Sequence, residues 1–274
     1  MTVRLLRTLA AAALTLVLGA SVAPGSAVAG DADGVGETPA AAEPRPLPVG
    51  TDVDYQLGGV RPVPSRVGIV VRDRGAAPAP GRYNVCYVNG FQTQPDERRV
   101  WRARPGLVLR DAEGRRVADA EWGEWLLDLR TAAKRERLAR VVGRWVRGCA
   151  RDGFDAVELD NLDSFTRSGG LLTRGQAVAY ARLLLRDAHA AGLAVGQKNL
   201  PGLRGSRIGF DFAVAEECGR YAECGRYAAS YGRRVLAVEY RARDFRRTCR
   251  HRARAWAVVL RDRAVSPRGV RRWC

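Results

Sequence analysis

The chain has 274 residues and a formal charge of +17, from 46 lysines and arginines against 29 aspartates and glutamates. Such a balance prompts a search for nucleic-acid or anionic-surface partners, yet the only lysines are Lys134 and Lys198, the arginines are scattered, and no nucleic-acid motif accompanies them. Nucleic-acid binding is therefore set aside, leaving weak attraction to anionic matrix as the implication of the charge.

Residues 1–29 read as an export signal: Arg4 and Arg7 precede an apolar run from Leu9 to Leu18, and Ala27-Val28-Ala29 fits the small-residue cleavage rule. The apolar run is too short to span a bilayer, so no stable membrane insertion is expected. Loss of the two arginines would leave +15, the +17 less 2. Residues 30–50 are rich in Gly, Ala, Pro and acids without apolar periodicity and read as a disordered linker. Residues 51–274 suffice for one core, and a secreted, monomeric, single-domain protein is expected.

From residue 51 short apolar runs alternate with amphipathic ones. Eight read as strands: Val53 to Leu57, Val67 to Val71, Asn84 to Val88, Asp155 to Asp160, Ala194 to Lys198, Phe212 to Glu216, Val235 to Glu239 and Ala257 to Leu260. Asn89 to Asp128, with Trp101, Trp122 and Trp125, reads as a long loop over a barrel mouth, with buried core as the other role for the tryptophans. After Thr131, an N-cap, the apolar positions Leu138, Val141, Val142, Trp145, Val146 and Cys149 follow a helical rhythm. Thr173 and Gln176 form a capping box for a second helix, which Gly192 ends. Strands separated by helices predict an α/β (β/α)₈ TIM-type barrel with an irregular first half.

All six cysteines follow residue 50, and an even number in an exported chain favours disulfides. Cys218 with Cys224, and Cys249 with Cys274, are the expected local bridges. No pair of CxxC units accompanies His189 and His251, so zinc is not expected. The chain has no GxSxG elbow and no GxxxxGK[ST] loop, which removes support for a serine triad and for nucleotide hydrolysis.

Carboxylates recur at strand ends: Asp128 after Trp125, then Asp160, Glu216 and Glu239, with Lys198-Asn199 ending the fifth strand. A mouth lined by acids, a lysine, asparagines and the aromatics Tyr55, Trp122 and Tyr240 suits glycoside hydrolysis, in which one carboxylic acid protonates the leaving oxygen while a second attacks or activates water. Strand-end acids also hold Mg²⁺ or Ca²⁺ in metal-dependent barrels. A metal-dependent hydrolase, and a non-catalytic carbohydrate- or wall-binding barrel, are the alternatives.

An ordered set of segments adds a resemblance. Tyr55-Gln56-Leu57, Trp125-Leu126-Leu127-Asp128-Leu129-Arg130 and Gly153 through Asp163 come first. Leu172-Thr173 with Gln176 and Tyr180, Ala188-His189, and Gly192 through Asn199 follow. Phe210 through Cys218 with Tyr221-Ala222-Glu223-Cys224, and Val238-Glu239-Tyr240, complete it. The set, spanning residues 53 to 245, resembles glycoside hydrolase family 114, the endo-α-1,4-polygalactosaminidases. The resemblance implies a (β/α)₈ barrel, no cofactor or metal, and a polygalactosamine- or galactosaminogalactan-like polysaccharide as partner. It places the nucleophile on Asp160, with Glu158 on the same strand face as the other candidate, and the general acid/base on Glu216. Tyr55, Asp128, Asn161, Asp163, Lys198, Asn199, Glu239 and Tyr240 would line the substrate cleft. Leu159 stands where the family usually has proline, Ala215 where it has asparagine, and Glu217 where glutamine is common. Glu217 would raise the pKa of Glu216 if the two side chains met. A deacetylated galactosamine polymer is cationic, so association with this basic chain requires an acidic cleft.

Overall fold

The computed structural model describes residues 43–274. The expected export signal and residues 30–42 of the expected linker lie outside them. Residues 43–50 do not behave as a linker: Leu47 is buried, Tyr83 Oη donates to the Arg45 carbonyl at 2.8 Å, and Arg45 pairs with Asp155. The folded domain thus begins several residues before the expected boundary.

Eight parallel strands follow in sequence order: β1 (Asp52–Gln56), β2 (Val67–Asp73), β3 (Tyr83–Asn89), β4 (Ala156–Asp160), β5 (Ala194–Lys198), β6 (Phe212–Glu216), β7 (Val235–Glu239) and β8 (Ala257–Arg261). All eight expected strands are present, with ends within about two residues. Around them lie α1 (Arg98–Arg102), α2 (Ala132–Arg151), α3 (Arg174–Ala190), α4 (Cys224–Tyr231) and α5 (Ala242–Arg252). No helix lies between β1 and β2 or between β2 and β3, which is the irregular first half. This is a single-domain (β/α)₈ TIM-type fold.

Strand alternation builds two apolar layers. Val53, Tyr55, Ile69, Val71, Val85, Val214 and Val259 fill the barrel interior. Val88, Val157, Leu159, Ala215 and Val258 face outward with Leu138, Val142, Leu184 and Phe245 of the helices. Leu159 and Ala215, two departures from the family pattern, are thus core residues on the helix side. Thr131 accepts from Lys134 N at the start of α2, and Thr173 and Gln176 make the reciprocal capping box of α3.

A ninth strand, β9 (Arg271–Trp273), runs antiparallel to β8 at the barrel seam. It also reaches β1, because Trp273 Nε1 donates to the Val53 carbonyl at 2.7 Å and Arg271 pairs with Asp54 at 2.5 Å. Disulfides join Cys218 to Cys224 and Cys249 to Cys274, as expected, and the remaining pair, Cys86–Cys149, ties β3 to α2.

The interval from Asn89 to Asp128 is more structured than a loop. Isolated bridges pair Gln92 with Leu126, Val108 with Leu127 and Ala118 with Trp125, and α1 lies within it. Its tryptophans divide: Trp101 is fully buried edge-to-face on Trp145, the Trp125 ring carries the guanidinium groups of Arg98 and Arg116 over it, and Trp122 is 55% exposed.

Candidate active site

The carboxyl ends of β3 to β7 converge on Lys198, the last residue of β5. Its ammonium is 2.9 Å from Glu158 Oε1, 3.2 Å from Asp160 Oδ1 and 3.4 Å from Glu216 Oε2, and 3.1 Å from Tyr55 Oη. Burial alone would lower its pKa, but Asp160, Glu158 and Glu216 outweigh burial and hold it well above the ordinary lysine range. A buried ammonium therefore stays charged and draws two strands' carboxylates to one point.

Asp160 is positioned from two further sides. Tyr87 Oη donates to Oδ2 at 2.7 Å, and the Asn161 backbone N–H donates to Oδ1 at 2.7 Å. Burial opposes ionisation of Asp160, yet Lys198, the Tyr87 hydroxyl and the Asn161 N–H hold its pKa below the ordinary range. Glu216 is held by the Tyr240 hydroxyl on Oε1 and by Asn199 Nδ2 on Oε2 at 3.1 Å, while Asn199 Oδ1 accepts from the Glu216 backbone N–H at 2.9 Å.

The residues immediately after three strands adopt left-handed backbone: Asn161 (φ 63°) after β4, Asn199 (φ 49°) after β5 and Glu217 (φ 53°) after β6. Asparagine tolerates this region, whereas glutamate there is uncommon. The reversal at Glu217 sends its carboxylate to Arg220 at 2.9 Å and Arg263 at 3.1 Å. Strain of this kind concentrates at functional sites.

A cleft of 630 Å³ lies over these groups. Of the expected residues, Asp160, Asn161, Asp163, Lys198, Asn199, Glu216 and Tyr240 line it. Four others do not. Tyr55 and Glu158 are fully buried beneath the cleft, with Tyr55 Oη donating to Glu158 Oε1 at 2.6 Å. Burial pushes the Glu158 carboxyl up to about 7, against the pull of Lys198. Asp128 is buried at the approach to α2 against Arg130, at 2.8 Å, and Lys134; burial would raise its pKa, and those two cations bring it below the ordinary range. Glu239 accepts from Gly219 N at 2.7 Å and Thr248 Oγ1 at 2.8 Å, fastening the turn after β6 to α5. Gly219 fits only as glycine, since a Cβ would stand 2.3 Å from Thr248 Oγ1 and 2.8 Å from Glu239 Oε1.

The cleft also contains residues that sequence reasoning missed. Asp119, Glu121 and Glu124 enter from the Asn89–Asp128 interval, Asp73 from the end of β2, and Glu223, Arg167 and Arg263 from segments that follow other strands. Nine carboxylates and three cations line the cleft, so an acidic groove is set in a chain of formal charge +17. Arg167 pairs with Asp119 at 2.7 Å and Asp163 at 3.0 Å. Tyr87 was legible in principle, as the inward residue two before the end of β3. Among the described residues the one cluster of metal-type donors is Cys218, Cys224 and Glu239, and its two sulfurs are joined in a disulfide.

The sequence profile of glycoside-hydrolase family GH114 matches residues 35–274. The chain belongs to this family. It is a glycosidase, and the cleft is the candidate active site of a GH114 barrel. Comparison with curated protein sequences gave no match. Among solved structures, Aspergillus fumigatus Ega3 in complex with galactosamine superposes with a TM-score of 0.69 at 20% identity, covering 85% of this chain and 98% of that one. The glycoside hydrolase domain of PelA from Pseudomonas aeruginosa gives a TM-score of 0.55 at 16% identity, covering 80% and 97%. At these identities the two structures speak for the fold of the GH114 domain.

Proposed function

We propose that the protein is an exported, endo-acting glycosidase of an α-1,4-linked, galactosamine-containing polysaccharide, with Asp160 as nucleophile and Glu216 as general acid/base. The carrying observation is the single ammonium of Lys198 that holds Asp160 at 3.2 Å and Glu216 at 3.4 Å in one acid-lined cleft. The two carboxyls therefore have oxygens no farther apart than those two distances laid end to end. That upper limit contains the whole retaining range of about 5–5.5 Å and only the lower edge of the roughly 6.5–9.5 Å of inverting enzymes, which supports retention. Full burial of Glu158 favours Asp160 as the attacking group.

Each residue's surroundings suit its role. The groups that keep Asp160 ionised keep it nucleophilic at C1 of the sugar. Glu216 protonates the glycosidic oxygen as the bond to the leaving chain breaks, and then removes a proton from the water that releases the glycosyl-enzyme. Trp122 and Tyr221, 55% and 57% exposed on the cleft rim, offer faces for sugar rings along the polymer. The acidic lining suits a cationic chain, and galactosamine is the ligand in the Ega3 structure. Export is supported by the N-terminal signal pattern and by three disulfides.

The test is mass spectrometry of products from partly acetylated α-1,4-polygalactosamine treated with wild type, Asp160→Asn and Glu216→Gln. Oligosaccharides from wild type alone are expected. Binding of the polymer by wild type without any product would instead indicate a non-catalytic barrel.

A further inference from the structure

The cations that line the cleft all have carboxylate partners: Lys198 with Glu158, Asp160 and Glu216, Arg167 with Asp119 and Asp163, Arg263 with Glu121 and Glu217. Glu124 has no cationic partner among the described residues, and the one hydrogen bond to its carboxylate comes from Asn89 Nδ2 at 2.8 Å. Asn89 is also the link to the nucleophile, because its Oδ1 accepts from Asn161 Nδ2 at 3.1 Å and Asn161 N–H donates to Asp160. Asn89 and Asp160 are register partners at the ends of β3 and β4, whereas Glu216 stands on β6. An unmatched carboxylate is thus fixed beside the nucleophile, on the β3 side of it. Asp73 and Glu223 also line the cleft without a cation, but neither is bonded into the Asp160 network.

The geometry points to Glu124 as a specificity-determining residue that accepts a hydrogen bond from the protonated C2 amine of the sugar held over Asp160, selecting deacetylated over N-acetylated units. This rests on the galactosamine reading above. C2 adjoins the carbon that Asp160 attacks, so its substituent falls within reach of a group tied to Asp160 through two asparagines. Burial raises the Glu124 pKa to about 7, with Asn89 opposing and Asp160 and Asp119 adding to the rise. An ammonium placed there relieves this repulsion, while an acetamide brings bulk and no charge. The arrangement favours the amine by adding its partner and disfavours the amide by leaving the carboxylate unmatched.

The experiment compares kcat/KM on α-1,4-oligogalactosamine and on its N-acetylated counterpart, for wild type, Glu124→Gln and Glu124→Asp. Glu124→Gln is expected to lower the amine-to-acetamide ratio by about tenfold or more, the scale of a lost charge-assisted hydrogen bond. Glu124→Asp, which keeps the charge, retains most of the ratio. A ratio unchanged in Glu124→Gln, with both substrates losing turnover equally, would overturn the assignment and reduce Glu124 to a positioning residue for Asn89. Wild type that cleaves neither substrate would remove the galactosamine reading itself, and this inference with it.

Discussion

Lys198 Nζ and Glu158 Oε1 stand 2.9 Å apart at the floor of the cleft, both essentially removed from solvent. A buried ammonium costs several kcal/mol to desolvate and is tolerated here because three carboxylates surround it. Removing it would leave those carboxylates facing one another. Lys198→Met is expected to destabilise the fold by about 3–5 kcal/mol and to abolish turnover, checked by urea unfolding and by product assay on the folded fraction.

Glu158 gives stability a pH dependence of definite sign. Its carboxyl is raised from the ordinary 4.5 to about 7 by burial, with Lys198 opposing. Between those values the unfolded chain has released a proton that the folded chain keeps, so Glu158 makes the fold lose stability as pH rises through that window. Asp160 has the opposite sign: its depressed pKa adds stability at neutral pH that is lost as pH falls through its folded value. Denaturant unfolding from pH 4.5 to 7.5 is expected to show a decline in wild type that Glu158→Gln flattens by an amount of order 3 kcal/mol. An unaltered pH slope in the variant would mean that Glu158 is ionised in the fold throughout the range.

The proposed acid and nucleophile are separable by substrate chemistry. Asp160→Ala is expected to lose about 10³-fold or more in kcat on any substrate, with partial rescue by azide and a product of inverted configuration. Glu216→Gln is expected to lose about 10²–10⁴-fold on the polymer. It should lose far less on an aryl glycoside, whose leaving group needs no proton. NMR of the first-formed anomer checks retention in wild type.

How much of this was written in the sequence depends on whether the signal was periodic. Val-rich strands and the Thr131 and Thr173 caps announce themselves through local rules, so β1 to β8, α2 and α3 were legible. Strand-end position brought Asp160, Lys198 and Glu216 together correctly. Alternation gives the face of a side chain but not its depth, and for that reason Glu158 and Tyr55 were expected in the cleft and lie beneath it. Asp128 was misplaced by the same strand-end logic, although Arg130 and Lys134, two and six residues on, were a local hint of its pairing. Asp119 and Glu124 come from an interval held by isolated bridges and packing, where no period exists to read. The three-residue β9, with two arginines, carries no strand pattern and forms because β8 and β1 leave a seam for it.

The disulfides should differ in what they contribute. Cys86–Cys149 spans 63 residues and joins two buried core positions, whereas Cys218–Cys224 spans 6. On loop-closure entropy the first stabilises by about 4 kcal/mol and the second by about 2. Cys86→Ala/Cys149→Ala is therefore expected to lower the urea midpoint about twice as far as Cys218→Ala/Cys224→Ala. The smaller bridge should matter more to activity, since it shapes the turn that carries Gly219 and Glu223 beside the cleft.

Arg263 offers a test of the acidic cleft itself. Its guanidinium bridges Glu121, on the long interval, and Glu217, after β6, and it is half exposed. Exposed pairs of this kind contribute about 0–1 kcal/mol, so Arg263→Ala should leave the melting temperature nearly unchanged. The electrostatic consequence is larger than the structural one, because at the cleft Glu121 loses its cation and Glu217 keeps only Arg220. KM for a cationic oligogalactosamine is expected to fall about two- to fivefold at low salt, with the difference closing as salt rises toward the molar range and the Debye length shrinks to about 3 Å. A KM that rises on removal of Arg263 would mean that the arginine holds the substrate directly, and kinetics at two ionic strengths distinguish the outcomes.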